Sequence, residues 1–167
     1  MLFGGAAVKK VLSHIAAALA LLMVLGAILE LGMYACPLFA GLCFIPIGQK
    51  YGRKYHITLY VASCILCFLM VPNMEENLMF AGLFGWYPIV RPVLQKLPKV
   101  IRWICKLAIF NVVVIAIEWL VMTILVPEAI GGTLLWVLLI LGNITFLAYD
   151  FMIPKMEVLM GRIVKLL

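Results

Sequence analysis

The chain has 167 residues, 67% of them hydrophobic and 12% charged, with a net charge of +6 and a mean hydropathy of +1.22. Soluble domains carry about a quarter charged residues, so this composition excludes a water-exposed shell around one small core. The apolar stretches are continuous rather than alternating, which excludes a lipid-facing β-barrel and leaves α-helices to satisfy the backbone in lipid.

In chain order the apolar runs predict a single domain, 1–167, built as an all-α polytopic membrane helix bundle of six spans. A span takes about 20 apolar residues. The first lies at 12–34, too long for a signal-peptide core and without a cleavage site, so it is read as retained. The second, 36–49, is short and has Pro37 and Pro46 near its ends. The third lies at 57–71 and the fourth, also short, at 78–90. A bent connection, 91–102, holds Pro92 and Pro98 among basic residues. The fifth span is 101–126 and the sixth 134–153. After Pro154, a tail at 155–167 sets Lys155, Arg162 and Lys165 among apolar residues, a pattern that suits the lipid interface or the underside of the bundle.

The charges test this thread independently. The basic residues are Lys9, Lys10, Lys50, Arg53, Lys54, Arg91, Lys96, Lys99, Arg102, Lys106, Lys155, Arg162 and Lys165, and all 13 fall on one side of a six-span path. Glu75, Glu76 and Glu128 fall on the other, with Glu30 close by. The positive-inside rule then puts both termini in the cytoplasm of a multi-pass cell-membrane protein. The net charge is a topology signal, and nucleic acid is not an expected partner; the bilayer is.

Polar residues inside a span are candidates for function by default. Glu30 lies near the outer end of the first span, and Asp150 lies near the inner end of the sixth, within reach of a cytoplasmic cation. Glu118 is the costly one, eight residues or roughly 12 Å in from Val126. A short connection, 127–133, makes the fifth and sixth spans an antiparallel hairpin. Residues equidistant from its centre share a depth, which pairs Glu118 with Asn143 and Asn111 with Asp150. The seven-residue spacing on each helix keeps both members on one face. These two rungs either tie the helices together, at about 1 kcal/mol each or less, or let Glu118 face a cavity and hold a solute or a proton.

Ala16 and Ala20 form a small-xxx-small pair at the inner end of the first span, which permits close helix contact. Cys36, Cys43, Cys64, Cys67 and Cys105 sit in or beside apolar runs and read as small packed hydrophobes. The Cys64–Cys67 CxxC has no second CxxC or nearby histidine to make it a metal or redox site. His14 and His56 read as interface residues. No nucleophile stands with a base and no phosphate loop is present, so the sequence proposes no catalytic residue, cofactor or metal.

Six spans, cytoplasmic termini, this length and the Ala16/Ala20 pair together resemble the substrate-binding S components of energy-coupling factor (ECF) vitamin transporters. That resemblance implies a small-solute-binding transporter subunit, with the solute in the outer half of the bundle. It also implies that Ala16 and Ala20 dock a partner membrane subunit. The ligand-binding candidates are then Glu30, Glu118, Trp119 and Asn143. The segments Gly85-Trp86-Tyr87-Pro88-Ile89, Trp103…Lys106…Phe110-Asn111 and Asn143…Tyr149-Asp150 also resemble uncharacterised small membrane proteins of Gram-positive bacteria. The alternative function is a non-enzymatic membrane scaffold or assembly protein whose intramembrane polar residues only hold helices together.

Overall fold

A computed structural model of the chain describes the backbone of residues 5–29, 35–124 and 132–166, with most of their side chains between 8 and 159. Among the described residues every regular element is helical. Helix α1 (Gly5–Ile28) begins and ends earlier than the predicted span. The predicted second helix is two: α2 (Ala35–Leu42) and α3 (Ile45–Tyr51). Pro46 explains the break. Its ring cannot pack against the carbonyl four residues back, that of Leu42, yet it is well placed in the first turn of a new helix. Gly52, at φ 90°, ends α3 in a conformation that a side chain would disfavour, and α4 (Arg53–Met70) follows at once.

The fourth predicted span is also interrupted. Asn73 caps α5 (Met74–Met79) by accepting the Glu76 N–H at 3.2 Å. The helix then widens into a π-helical stretch (Phe80–Phe84), closed by a bond from the Gly85 N–H to the Phe80 carbonyl at 2.8 Å. Pro88 in the first turn of α6 (Tyr87–Leu94) forces that break, as Pro46 does in the second predicted span. The connection 95–98 leads into α7 (Lys99–Ile124), and α8 (Gly132–Leu166) completes the chain. Helix α8 runs through Pro154 for 35 residues, so the expected separate tail is its continuation.

Two apolar clusters hold the bundle. In the first, Leu12, Ala16, Leu19, Ala20 and Met23 form one face of α1 and pack on α4 around Leu59 and Cys67. In the second, Phe110, Val114 and Ile117 of α7 meet Phe146, Tyr149 and Ile153 of α8 over Leu83 and Tyr87. Gly41 of α2 lies so close to the Phe84 carbonyl and the Tyr149 hydroxyl that a Cβ there has no room. The outer faces are apolar too: Leu21, Leu25 and Ile28 of α1, Ile65 and Leu69 of α4, and Ile140, Ile144 and Phe151 of α8 are all exposed. Among the described residues, two helices are long and apolar enough to cross a membrane, Val8–Ile28 and Lys99–Val121, with mean hydropathies of 2.4 and 2.2.

Candidate functional site

The strongest polar feature is an ion cluster around Asp150. Tyr87 and Arg91, one turn apart on α6, and Lys106 on α7 converge on this single α8 carboxylate. The Tyr87 hydroxyl donates to Oδ1 at 2.6 Å and Arg91 Nε donates to the same oxygen at 3.0 Å. Lys106 Nζ donates to Oδ1 at 2.8 Å and to Oδ2 at 2.6 Å. All four side chains are buried. Arg91 Nη1 also reaches Glu157 Oε1, one or two turns further along α8, at 3.4 Å. Two cations thus face two carboxylates, and the group is neutral. A buried ion set of this kind withstands its desolvation only when every member is bonded, and removing one partner costs about 3–5 kcal/mol.

The polar rungs take a different register from the one expected. Asn143 does not pair with Glu118, and Asn111 does not pair with Asp150. The two asparagines pair with each other instead, Asn111 Nδ2 to Asn143 Oδ1 at 3.1 Å and Asn143 Nδ2 to Asn111 Oδ1 at 2.9 Å. Each amide also donates to a carbonyl of its own helix, Leu107 or Leu139. The Asn111–Asn143 pair is centred on residue 127 and not near 130–131, so Asn111 meets a partner seven residues, about two turns, from the one expected.

Glu118 is buried, and no hydrogen bond to it is found among the described residues. It stands six residues, about 9 Å, before Ile124, the last described residue of α7. It lines a cavity of about 180 Å³ whose other walls are Met79, Leu83 and Phe84, Phe110 and Val114 of α7, and Leu141, Gly142 and Thr145 of α8. Glu118 is the one charged group in that lining. Trp119 does not join it: its ring is 67% exposed on the outer face. Asn143 is occupied by Asn111, and Glu30 lies outside the described residues. Of the three described ligand-binding candidates, Glu118 alone lines this cavity.

Ala16 and Ala20 are 1% and 0% exposed, packed inside the protein's own bundle. The exposed docking face that the transporter resemblance implied is covered by α4, because the close approach that small residues permit is already used within the chain.

Glu76 is the residue that sequence reasoning placed in an outer loop and that the structure buries, at 1% exposure. Neither carboxylate oxygen has a hydrogen-bond partner among the described residues. It packs where α1 and α2 meet: a Cβ on Gly26 would lie 2.6 Å from Glu76 Oε1 and 2.7 Å from the Cys36 Cβ. Burial pushes the Glu76 carboxyl up to about 7 from an ordinary 4.5. No sequence signal marks it, since an acidic residue three positions after a helix cap normally sits in water.

No protein-family model, curated protein or solved structure matches this chain, so its chemistry is read from its own geometry.

Proposed function

We propose that this is a six-pass membrane protein with both termini in the cytoplasm, and that it binds a small, largely apolar solute carrying a cationic or hydrogen-bond-donating group at Glu118. The passes are α1, the broken pair α2–α3, α4, residues 78–90 within α5–α6, α7, and the first part of α8. Two observations support the thread. Outward-facing leucines, isoleucines and phenylalanines cover the helices, as lipid contact requires. Basic residues also gather at one end: Lys9 shares a groove with Thr58, and Arg53 shares a cavity with Lys96. That is the distribution by which lysine and arginine mark the cytoplasmic side.

The observation that carries the solute reading is the contrast between Glu118 and Asp150. Both are buried carboxylates, but Asp150 is saturated by three donors while Glu118 meets an apolar cavity. A carboxylate in that setting binds a proton or a donor that enters from outside. At about 180 Å³ the cavity is smaller than the roughly 300–1,000 Å³ of drug-sized sites, which restricts the solute to a few heavy atoms. The test is a thermal-shift screen of small aliphatic and aromatic amines on the detergent-purified chain. A hit should stabilise the wild type and lose that effect in Glu118→Gln, while the ligand-free melting temperature stays the same. No stabilising amine, or stabilisation that survives the substitution, refutes the reading.

A second reading, a scaffold without a ligand, is favoured by the Asn111–Asn143 pair and the Asp150 cluster, which tie α6, α7 and α8 together. In that case Glu118→Gln is silent in every ligand assay.

A further inference from the structure

We infer that the cleft at the basic end of the bundle, between α3, α4, α6 and α8, is a binding site for a phosphate group carried on an apolar or glycerol-like body. The cleft encloses about 350 Å³, within the size range of small-molecule sites. Gln49, Arg53, His56, Lys96 and Glu157 supply its polar lining, and Pro88, Ile89, Pro92 and Val93 of α6 form a continuous apolar wall. It shares no lining residue with the Glu118 cavity, and the proposal does not depend on the solute assigned there.

The charges do not cancel across the cleft. Glu157 is held by Arg91, and Arg91 with Lys106 balances Asp150 with Glu157. Arg53 and Lys96 are left over: no carboxylate lies within ion-pair distance of either among the described residues. Two uncompensated cations therefore flank a concave site with an apolar side.

A separate observation points to a ligand. His56 is 6% exposed, lines the cleft, and has a buried Nε2 without a hydrogen-bond partner among the described residues. An orphaned ring nitrogen of this kind costs free energy unless something satisfies it. The imidazole is packed tightly: a Cβ on Gly48 of α3 would lie 2.5 Å from its Nδ1, so the glycine is what admits the ring. The first turn of the 18-residue α4 supplies both Arg53 and His56, so the positive end of that helix also faces the cleft. Arginine, lysine and a helix N-terminus converging beside an apolar wall match a phosphate joined to a hydrophobic or glycerol body. Basic pockets between membrane helices on the cytoplasmic side recognise anionic headgroups through the same elements.

The phosphate can come from a membrane phospholipid or from a soluble phosphate ester, and the experiment separates the two. The full chain, delipidated in detergent, is assayed by thermal shift and by native mass spectrometry with three probes: phosphatidylglycerol, phosphatidylcholine and soluble glycerol 3-phosphate. Retention of phosphatidylglycerol over phosphatidylcholine, with no response to glycerol 3-phosphate, identifies a lipid headgroup. A response to glycerol 3-phosphate identifies a soluble ester. In either case the Arg53→Ala/Lys96→Ala double variant should bind about tenfold more weakly or worse, since each lost charge-assisted contact is worth about 1.5–3 kcal/mol. Lys10→Ala, a basic residue outside the cleft, should leave binding unchanged. If the double variant misfolds, Arg53→Lys/Lys96→Arg keeps both charges and should keep binding, while raised ionic strength should weaken it. Failure of every phosphate probe to bind, or binding equal in wild type and the folded Arg53→Ala/Lys96→Ala variant, overturns the proposal.

Discussion

The two ends of the bundle treat a buried carboxylate in opposite ways. At the basic end, Asp150 accepts from Tyr87, Arg91 and Lys106, and its charge is matched within hydrogen-bond distance. Toward the other end, Glu76 and Glu118 are equally buried and have no such partner among the described residues. The difference follows from where the sequence spends its cations. Arg91 and Lys106 lie within bonding distance of Asp150, whereas no lysine or arginine lies within ion-pair distance of Glu76 or Glu118 among the described residues. An acid beside those cations becomes a structural tie, and an acid without them carries the cost of its own burial.

The largest effect expected is at Asp150. Replacing it with alanine strands Lys106 as a buried, unpaired cation and leaves Arg91 only its 3.4 Å contact to Glu157, and should cost about 3–5 kcal/mol. The readout is the apparent melting temperature and yield of the purified protein. The triple change Asp150→Leu/Arg91→Met/Lys106→Met removes the charges together and should recover much of the loss. A triple variant less stable than Asp150→Ala alone would show that the cluster contributes more than a balance of charges.

Glu76 gives the next effect and the opposite pH behaviour from a paired acid. Its folded-state value of about 7 lies above the ordinary 4.5 because burial disfavours the anion. Below about 4.5 the carboxyl is protonated whether or not the chain is folded, and no penalty arises. Between 4.5 and 7 the folded chain binds more protons than the unfolded one, so stability falls as pH rises. Above about 7 the full penalty, on the order of 3 kcal/mol, is in place. Melting in detergent should therefore drop between pH 5 and pH 8 (about three units, chosen to bracket the shift). Glu76→Gln should flatten that slope and melt higher at the alkaline end. A wild-type curve that is flat or rises over this window contradicts the unpartnered burial of Glu76.

What the sequence made legible follows the same division. Continuous apolar runs announced the helices, because a run of apolar residues is a one-dimensional pattern. Asp150 was also readable, as an acid near a crowd of cations. Breaks inside a predicted span were less so: Pro46 and Pro88 were visible, but the π-helical Phe80–Phe84 stretch depends on how α5 and α6 pack, not on composition. The burial of Glu76 was unreadable, because it depends on Gly26 and Cys36 lying opposite, which is tertiary information. The alanines on α1 gave a true signal of close contact but no indication of which surface would use it, and the chain's own α4 does.

The smallest effect is the most diagnostic of register. A hairpin centred on residue 127 pairs Asn111 with Asn143, whereas one centred near 130–131 would pair Glu118 with Asn143. Polar pairs between membrane helices couple by about 0.6 kcal/mol on average and seldom exceed 1.7 kcal/mol, because in the unfolded membrane-bound chain the same groups find other partners. Each asparagine here also keeps a bond to its own helix, to Leu107 or Leu139, so truncating its partner does not leave it wholly unsatisfied. Asn111→Ala and Asn143→Ala should therefore each cost about 1 kcal/mol or less. The double variant should cost less than their sum by about 0.6 kcal/mol. The parallel cycle of Glu118→Ala with Asn143→Ala should be additive, since these residues share no bond. Coupling in the second cycle and additivity in the first would shift the α7–α8 register by seven residues, about two turns. It would also take Glu118 out of the cavity and remove the ground for a solute there.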